Sequence, residues 1–192
     1  MRSALVVLMS LTVVLAGCVE PPSETVEESM EVVLPTAALF PAWDGVDHTN
    51  ISQSEEVFEN RSYMAYFSSP LCTHCETTLD AYDLVLPTER FVVFSMDERE
   101  RLANMSEWHN NTEENLNRTL DRPFILHPAL AKEVEARAIP HAVFVNAQGY
   151  AFHTLIGKQT NQTYIQSVWD LTETAVFNDC LLYTSDAADD LR

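Results

Sequence analysis

Residues 63 to 67, Tyr-Met-Ala-Tyr-Phe, form an unbroken apolar run that is short and rich in aromatic side chains, and it predicts a buried strand. A Ser-Ser-Pro break ends it. Beyond the break, Leu79, Tyr82, Leu84 and Leu86 sit on a segment closed by Pro87, which predicts a helix with Cys72 in its first turn. Phe91-Val92-Val93-Phe94 is hydrophobic without interruption, as a central parallel strand should be. Met96 to Leu120 is polar but spaces Met105 and Trp108 at a helical interval, so an inserted helix plus loop is expected there. Phe124-Ile125-Leu126 predicts a short strand. Pro128 to Arg137 predicts a helix, with Leu130 and Val134 one turn apart and Pro128 at a natural first position. Ala142 to Val145 and Tyr150 to Ile156 read as paired strands about the turn Ala147-Gln148-Gly149. A last helix sets Ile165, Val168, Trp169 and Val176 on one face. Ahead of these elements, Phe40, Trp43, Ile51, Val57 and Phe58 supply core candidates. The order predicts an α/β fold: a mixed central sheet with helices on both faces and a helical insertion after the second core strand.

The two ends of the chain follow other patterns. Met1-Arg2 is a short basic start, and Ala4 to Val14 is an apolar run too short to span a membrane comfortably, which together predict a signal peptide over 1–17. Leu15-Ala16-Gly17-Cys18 resembles the lipobox of secreted lipoproteins. That resemblance implies cleavage before Cys18 and a lipid on its sulfur. Residues 18–38, rich in Glu, Pro, Ser and Thr, predict a disordered tether. The folded domain is expected over 39–179. From Cys180 to Asp190 the sequence CLLYTSDAADD resembles the translation of a transposon adapter used in DNA library preparation, so 180–192 is read as a non-native tail.

Length and charge then narrow the function classes. With 192 residues, one domain plus tails is the default. A net charge of -18 with only 11 Lys and Arg excludes nucleic acid as a partner, and it predicts a solvated, monomeric domain. Six of the ten asparagines open Asn-x-Ser/Thr sequons: Asn50, Asn60, Asn104, Asn110, Asn117 and Asn161. They are candidate glycosylation sites, in keeping with an extracytoplasmic protein of a bacterial or archaeal cell, held to the membrane by the lipid on Cys18.

Setting aside Cys18 and Cys180 leaves Cys72 and Cys75 as the pair available for chemistry. A redox dithiol, half of a metal site and a structural staple are the three readings. A hydrophobic fraction of 46% can build a core without a staple, and so short a loop would remove little chain entropy. A Cys-x-x-Cys between a strand and a helix suits redox chemistry, because exposed N–H groups and partial positive charge at a helix start favour a thiolate. Cys72 is then the nucleophile and Cys75 the resolving thiol, with His74 placed to favour the Cys72 thiolate. No cofactor is expected beyond the disulfide itself, and no metal.

The stretches YMAYFSSPLCTHC, FVVFSMD and RPFILHPALAKEVEARAIPHAVFVNAQGY together resemble the thioredoxin fold, nearest to TlpA-like membrane-tethered thiol-disulfide oxidoreductases. The resemblance covers about Phe40 to Val176. It implies a cis-proline at Ile139-Pro140 that presents the substrate backbone, protein thiols or disulfides outside the cytosol as partners, and a membrane electron donor or acceptor. Four positions depart from the family. Leu71 stands where an aromatic residue usually precedes the first cysteine, and Tyr66 stands where a buried acid is common. Thr73-His74 is closer to the Pro-His of periplasmic disulfide oxidases of the DsbA type than to the Gly-Pro of thioredoxin. The departures leave the direction of electron flow open.

A copper-binding chaperone of the Sco type is the alternative on the same fold. His141, directly after Pro140, would join the two thiolates as a Cu(I) ligand, although the Sco pattern resembles a wider Cys-x-x-x-Cys. Structural zinc lacks a second cysteine pair, and the peroxidatic Thr-x-x-Cys pattern is absent around Cys72. His127 and His153 read as ordinary surface or strand residues.

Overall fold

The computed structural model describes residues 38–177. The signal segment with Cys18, nearly all of the tether and the adapter-like tail lie outside them.

The described chain opens with a hairpin that its hydrophobic pattern does not announce. Strands β1 (Asp44–Val46) and β2 (Ser52–Ser54) pair antiparallel, and none of their six residues is fully buried. Side-chain chemistry closes the turn instead. The Asp47 carboxylate accepts the N–H groups of Thr49 and Ile51, the Thr49 hydroxyl and the Gln53 amide. Gly45 lies so close to the main sheet that a Cβ there would sit 2.6 Å from Ile125 Cγ2. Trp43 and Phe58 are buried as expected, whereas Ile51 and Val57 are exposed, against expectation. Ile51 is spent on the turn. Val57 belongs to a single 3-10 turn (Glu55–Phe58), whose one inward position Phe58 takes.

Strand β3 (Tyr63–Ser68) is buried at all six positions because both faces of its pleat are covered. Met64 and Tyr66 enter one apolar layer, and Tyr63, Ala65 and Phe67 enter the other. After α1 (Cys75–Asp83), strand β4 (Phe91–Ser95) repeats this division. Then come α2 (Leu102–Leu116), β5 (Phe124–Leu126), α3 (Pro128–Glu133), β6 (His141–Val145), β7 (Ala151–Ile156) and α4 (Gln162–Thr174). The sheet order is β5-β4-β3-β6-β7. β3, β4 and β5 are parallel, β6 runs against β3, and β7 runs against β6.

Helices α1, α2 and α4 bring Leu79, Tyr82, Met105, Trp108, Ile165 and Trp169 onto the Tyr66 face. On the other face, α3 brings Leu130 and Ala131, beside Trp43 and Phe58. This is the expected mixed sheet with helices on both faces, and α2 is the expected insertion. Leu84, expected within the first helix, and Val176, expected on the inward face of the last one, are exposed for a common reason: α1 ends at Asp83, leaving Leu84 as its cap, and α4 ends at Thr174, so Val176 lies past the helical register.

Two histidines fasten α2 to the hairpin and to β5. The rings of His48 and His109 stack with centroids 3.8 Å apart, and Phe124 meets both edge-on. His48 Nδ1 accepts the Phe124 N–H at 3.2 Å, so that nitrogen carries no proton; His109 Nε2 lies 2.8 Å from the Leu120 carbonyl and therefore carries one. Burial and the facing His109 pull the His48 pKa below its ordinary 6.5, against the opposing pull of Asp47 and Glu113. A base harder to protonate when folded contributes stability that is present above the unfolded value and lost as pH falls below it. The melting temperature is expected to drop between pH 7.5 and 5.5. His48→Asn, whose Oδ1 can accept the same N–H, should lessen that drop, leaving the part due to the buried His141 and the half-buried His153; an unchanged drop would assign it wholly to other groups.

Candidate active site

The central strand β3 carries the chain to the dithiol, and two tight turns follow it. The Cys72 N–H donates to Ser69 O at 3.0 Å and the Cys75 N–H to Cys72 O at 3.2 Å. Both bonds span three residues, so the chain turns more tightly than an α-helix until Cys75, where α1 begins with His74 as its N-cap. Cys72 thus lies just ahead of the helix, and not in its first turn as the sequence suggested.

Cys72 and Cys75 are joined by a disulfide, with Cα atoms 5.3 Å apart. Cys75 is 3% exposed and Cys72 is half-buried. An external thiolate would therefore meet the Cys72 sulfur first, and Cys75 would be the leaving thiolate at the helix start, where N–H groups and the helix dipole favour a negative charge. His74 is exposed and its ring makes no capping bond; its carbonyl accepts the hydroxyls of Thr77 and Thr78.

Beneath the pair lies Tyr66, fully buried, with its hydroxyl donating to Cys75 O at 2.9 Å. Burial pushes the phenol pKa well above 10, so Tyr66 stays a neutral donor where thiols titrate. The sequence placed a non-acid here; nothing in it announced the bond.

The Ile139-Pro140 peptide is cis. The register of β3 and β6 pairs Phe67 with His141, so Pro140 stands at the end of the sheet where β3 runs into the dithiol turn. Pro140 is buried and Ile139 half-buried. Ile139 lines an open groove of about 460 Å³ together with Ser69, Met96, Asp97, Glu98 and Arg99. On the other flank, Trp108 and Thr112 of α2 close over Cys72 and Cys75, leaving an accessible space of about 10 Å³, room for one water molecule. The Met105 and Trp108 spacing signalled a buried helix face, but not that this face would lie beside the dithiol.

His141 does not join the cysteines. Its ring meets Phe67 edge-on, on the sheet face away from Tyr66 and α1. Burial pulls its pKa below 6.5 and its Nδ1 has no hydrogen-bond partner. Among the described residues no three His, Cys, Asp or Glu side chains gather as metal ligands. His127 caps α3 by accepting the Leu130 N–H, and His153 is half-buried on β7.

All six sequon asparagines are exposed. Asn50, Asn60 and Asn117 also occupy left-handed turns, with φ of 67°, 56° and 51°, and Asn161 caps α4 by accepting the Tyr164 N–H. Backbone geometry therefore gives asparagine a separate reason to stand at four of the six. No helix among the described residues is long and apolar enough to cross a membrane.

A five-stranded mixed sheet flanked by helices, a Cys-x-x-Cys disulfide ahead of the first core helix and a cis-proline at the adjacent strand end define a thioredoxin-like fold. Solved structures of the same fold include a thiol:disulfide interchange protein of Chlorobium tepidum, 16% identical over 71% of this chain and 96% of that one, with a TM-score of 0.58. StoA of Bacillus subtilis is 17% identical over 71% and 99%, with a TM-score of 0.52. An exposed lipoprotein thioredoxin of Streptococcus pneumoniae is 13% identical over 68% and 100%, also with a TM-score of 0.52. At these identities the likeness is one of fold. No family model matches the chain, and no curated protein matches its sequence.

Proposed function

We propose that this chain is a thiol-disulfide oxidoreductase that exchanges disulfides with protein thiols outside the cytosol. The observation that carries the reading is the unequal exposure of the disulfide-bonded pair, an approachable Cys72 over a buried Cys75, near the groove that Ser69 and Ile139 line. One sulfur can be attacked while the other is held back to resolve the intermediate. The groove offers a partner chain a place against the Ile139 backbone.

Tethering through a lipid on Cys18, glycans on the exposed sequons and exchange of electrons with a membrane partner belong to the same reading. The extracytoplasmic setting is supported by the signal-like N-terminus and by the lipobox resemblance. Copper binding is not favoured, because His141 faces the far side of the sheet.

The reading is tested by incubating the reduced protein with insulin and a recycling reductant, and the oxidised protein with a reduced, unfolded secretory substrate. Catalysed precipitation of insulin or catalysed disulfide formation is expected, and the faster arm assigns the direction. A rate no greater than that of free dithiol in both arms would overturn it.

A further inference from the structure

The Tyr66 hydroxyl is spent on a single atom, the backbone carbonyl of the resolving cysteine. Cys75 is the first residue of α1, and helix ends are where backbone order is most easily lost. While the disulfide is closed, the bond to Cys72 holds that end in place. Once it opens, the covalent link is gone, while the Cys75 N–H bond to Cys72 O and the Tyr66 bond to Cys75 O still hold the residue. The second reaches out of the loop. It anchors to the central strand β3, where the Tyr66 ring is itself fixed edge-on by Tyr82 at 5.7 Å and Phe91 at 5.9 Å.

We propose that Tyr66 is a positioning residue for the resolving step, holding the backbone of Cys75 so that its sulfur stays aimed at Cys72 when the disulfide between them is open. The proposal rests on the reading of this pair as an exchange centre. In the step concerned, Cys72 is joined to a partner sulfur. The Cys75 thiol gives its proton to solvent, and the resulting thiolate attacks the Cys72 sulfur. The Cys72–Cys75 bond forms as the bond from Cys72 to the partner breaks, and the partner leaves with the electron pair and takes a proton from water. Two electrons pass from the dithiol to the partner's former disulfide. The rate and equilibrium of this closure scale with the effective concentration of Cys75 at Cys72, which a tether to a rigid strand raises. A neutral phenol keeps that tether at every pH where the thiols titrate, which a carboxylate would not.

Tyr66→Phe removes the oxygen alone. It is expected to lower the equilibrium constant for disulfide formation against glutathione about tenfold, a shift of about 30 mV towards the oxidising side, and to lengthen the life of a Cys72 mixed disulfide by a similar factor. Tyr82→Phe, which strips a hydroxyl from the neighbouring core ring, should leave both values within about twofold, and melting temperatures of the two variants separate a general loss of stability from this effect. In the reduced wild-type protein, the Tyr66 hydroxyl proton should remain visible by NMR, protected by its bond. The proposal is overturned by an unchanged constant and lifetime in Tyr66→Phe, by an equal change in Tyr82→Phe, or by loss of that proton signal on reduction. A wild-type protein that forms no mixed disulfide at all would instead remove the exchange reading, and this proposal with it.

Discussion

Cys72→Ser is expected to reduce exchange with any protein thiol by at least about a thousandfold, the scale on which removal of a nucleophile acts. Cys75→Ser should behave differently. It keeps the approachable sulfur and loses the resolving one, so it should stall as a Cys72 mixed disulfide that accumulates with substrate and is seen on a non-reducing gel. The asymmetry follows from burial: Cys75, the first residue of α1, is 3% exposed beside Trp108 of α2, whereas Cys72 is half-buried on the turn before the helix. Mass spectrometry of the trapped species reports which cysteine carries the partner. Capture predominantly through Cys75 in the Cys72→Ser variant would reverse the assignment and show that the crevice opens in solution.

The parts of this fold that could be read in the sequence are those in which a residue's neighbours in space are dictated by the layer it enters. The all-apolar runs of β3 and β4 are buried on two sides, so their hydrophobicity needs no knowledge of topology. Ile165, Val168 and Trp169 share one face of α4 and are buried as their spacing demands. The dithiol and Pro140 were legible as candidates because their residue types are scarce and their chemistry is specific. What was not legible depends on contacts between distant segments. The β1 and β2 hairpin is fixed by the Asp47 carboxylate rather than by apolar alternation. The start of α1 was shifted by turns whose hydrogen bonds no spacing rule records. Tyr66 and Cys75 are nine residues apart, across a strand and two turns, and only the folded chain brings the hydroxyl to the carbonyl. Arg122 falls in a stretch that resembles the fold, but nothing in the sequence gives it a role of its own. A lone arginine before Pro123 reads as a surface residue, yet it is 3% exposed.

Arg122→Ala is expected to be the most destabilising of the substitutions considered, by about 3–5 kcal/mol, since removing one partner of a buried ion pair leaves the other groups unsatisfied. The guanidinium donates to the Asp83 carboxylate, to Leu86 O at 2.9 Å, to Pro87 O at 2.6 Å and to Thr88 O, and it lies 4.8 Å from the Phe91 ring centroid. These carbonyls lie in the turn after α1, where Pro87 O also accepts the Arg90 N–H at 3.1 Å, and the guanidinium reaches Asp83 O at 3.4 Å as well, so one side chain ties the helix end to the turn that follows it. Burial lowers the Arg122 pKa below its ordinary value while Asp83 opposes the change, and the group stays charged. Arg118 also pairs with Asp83, so the carboxylate would retain a cation in the variant; the carbonyls would have none of this donor fork. Against a total stability of roughly 5–15 kcal/mol for a domain, a loss of this size should be plain as a lower urea midpoint with an unchanged slope. Arg122→Lys should recover only part of it, because an ammonium cannot reproduce the planar fork. A midpoint within experimental error of wild type for Arg122→Ala would mean that water caps the helix end as well as the guanidinium does.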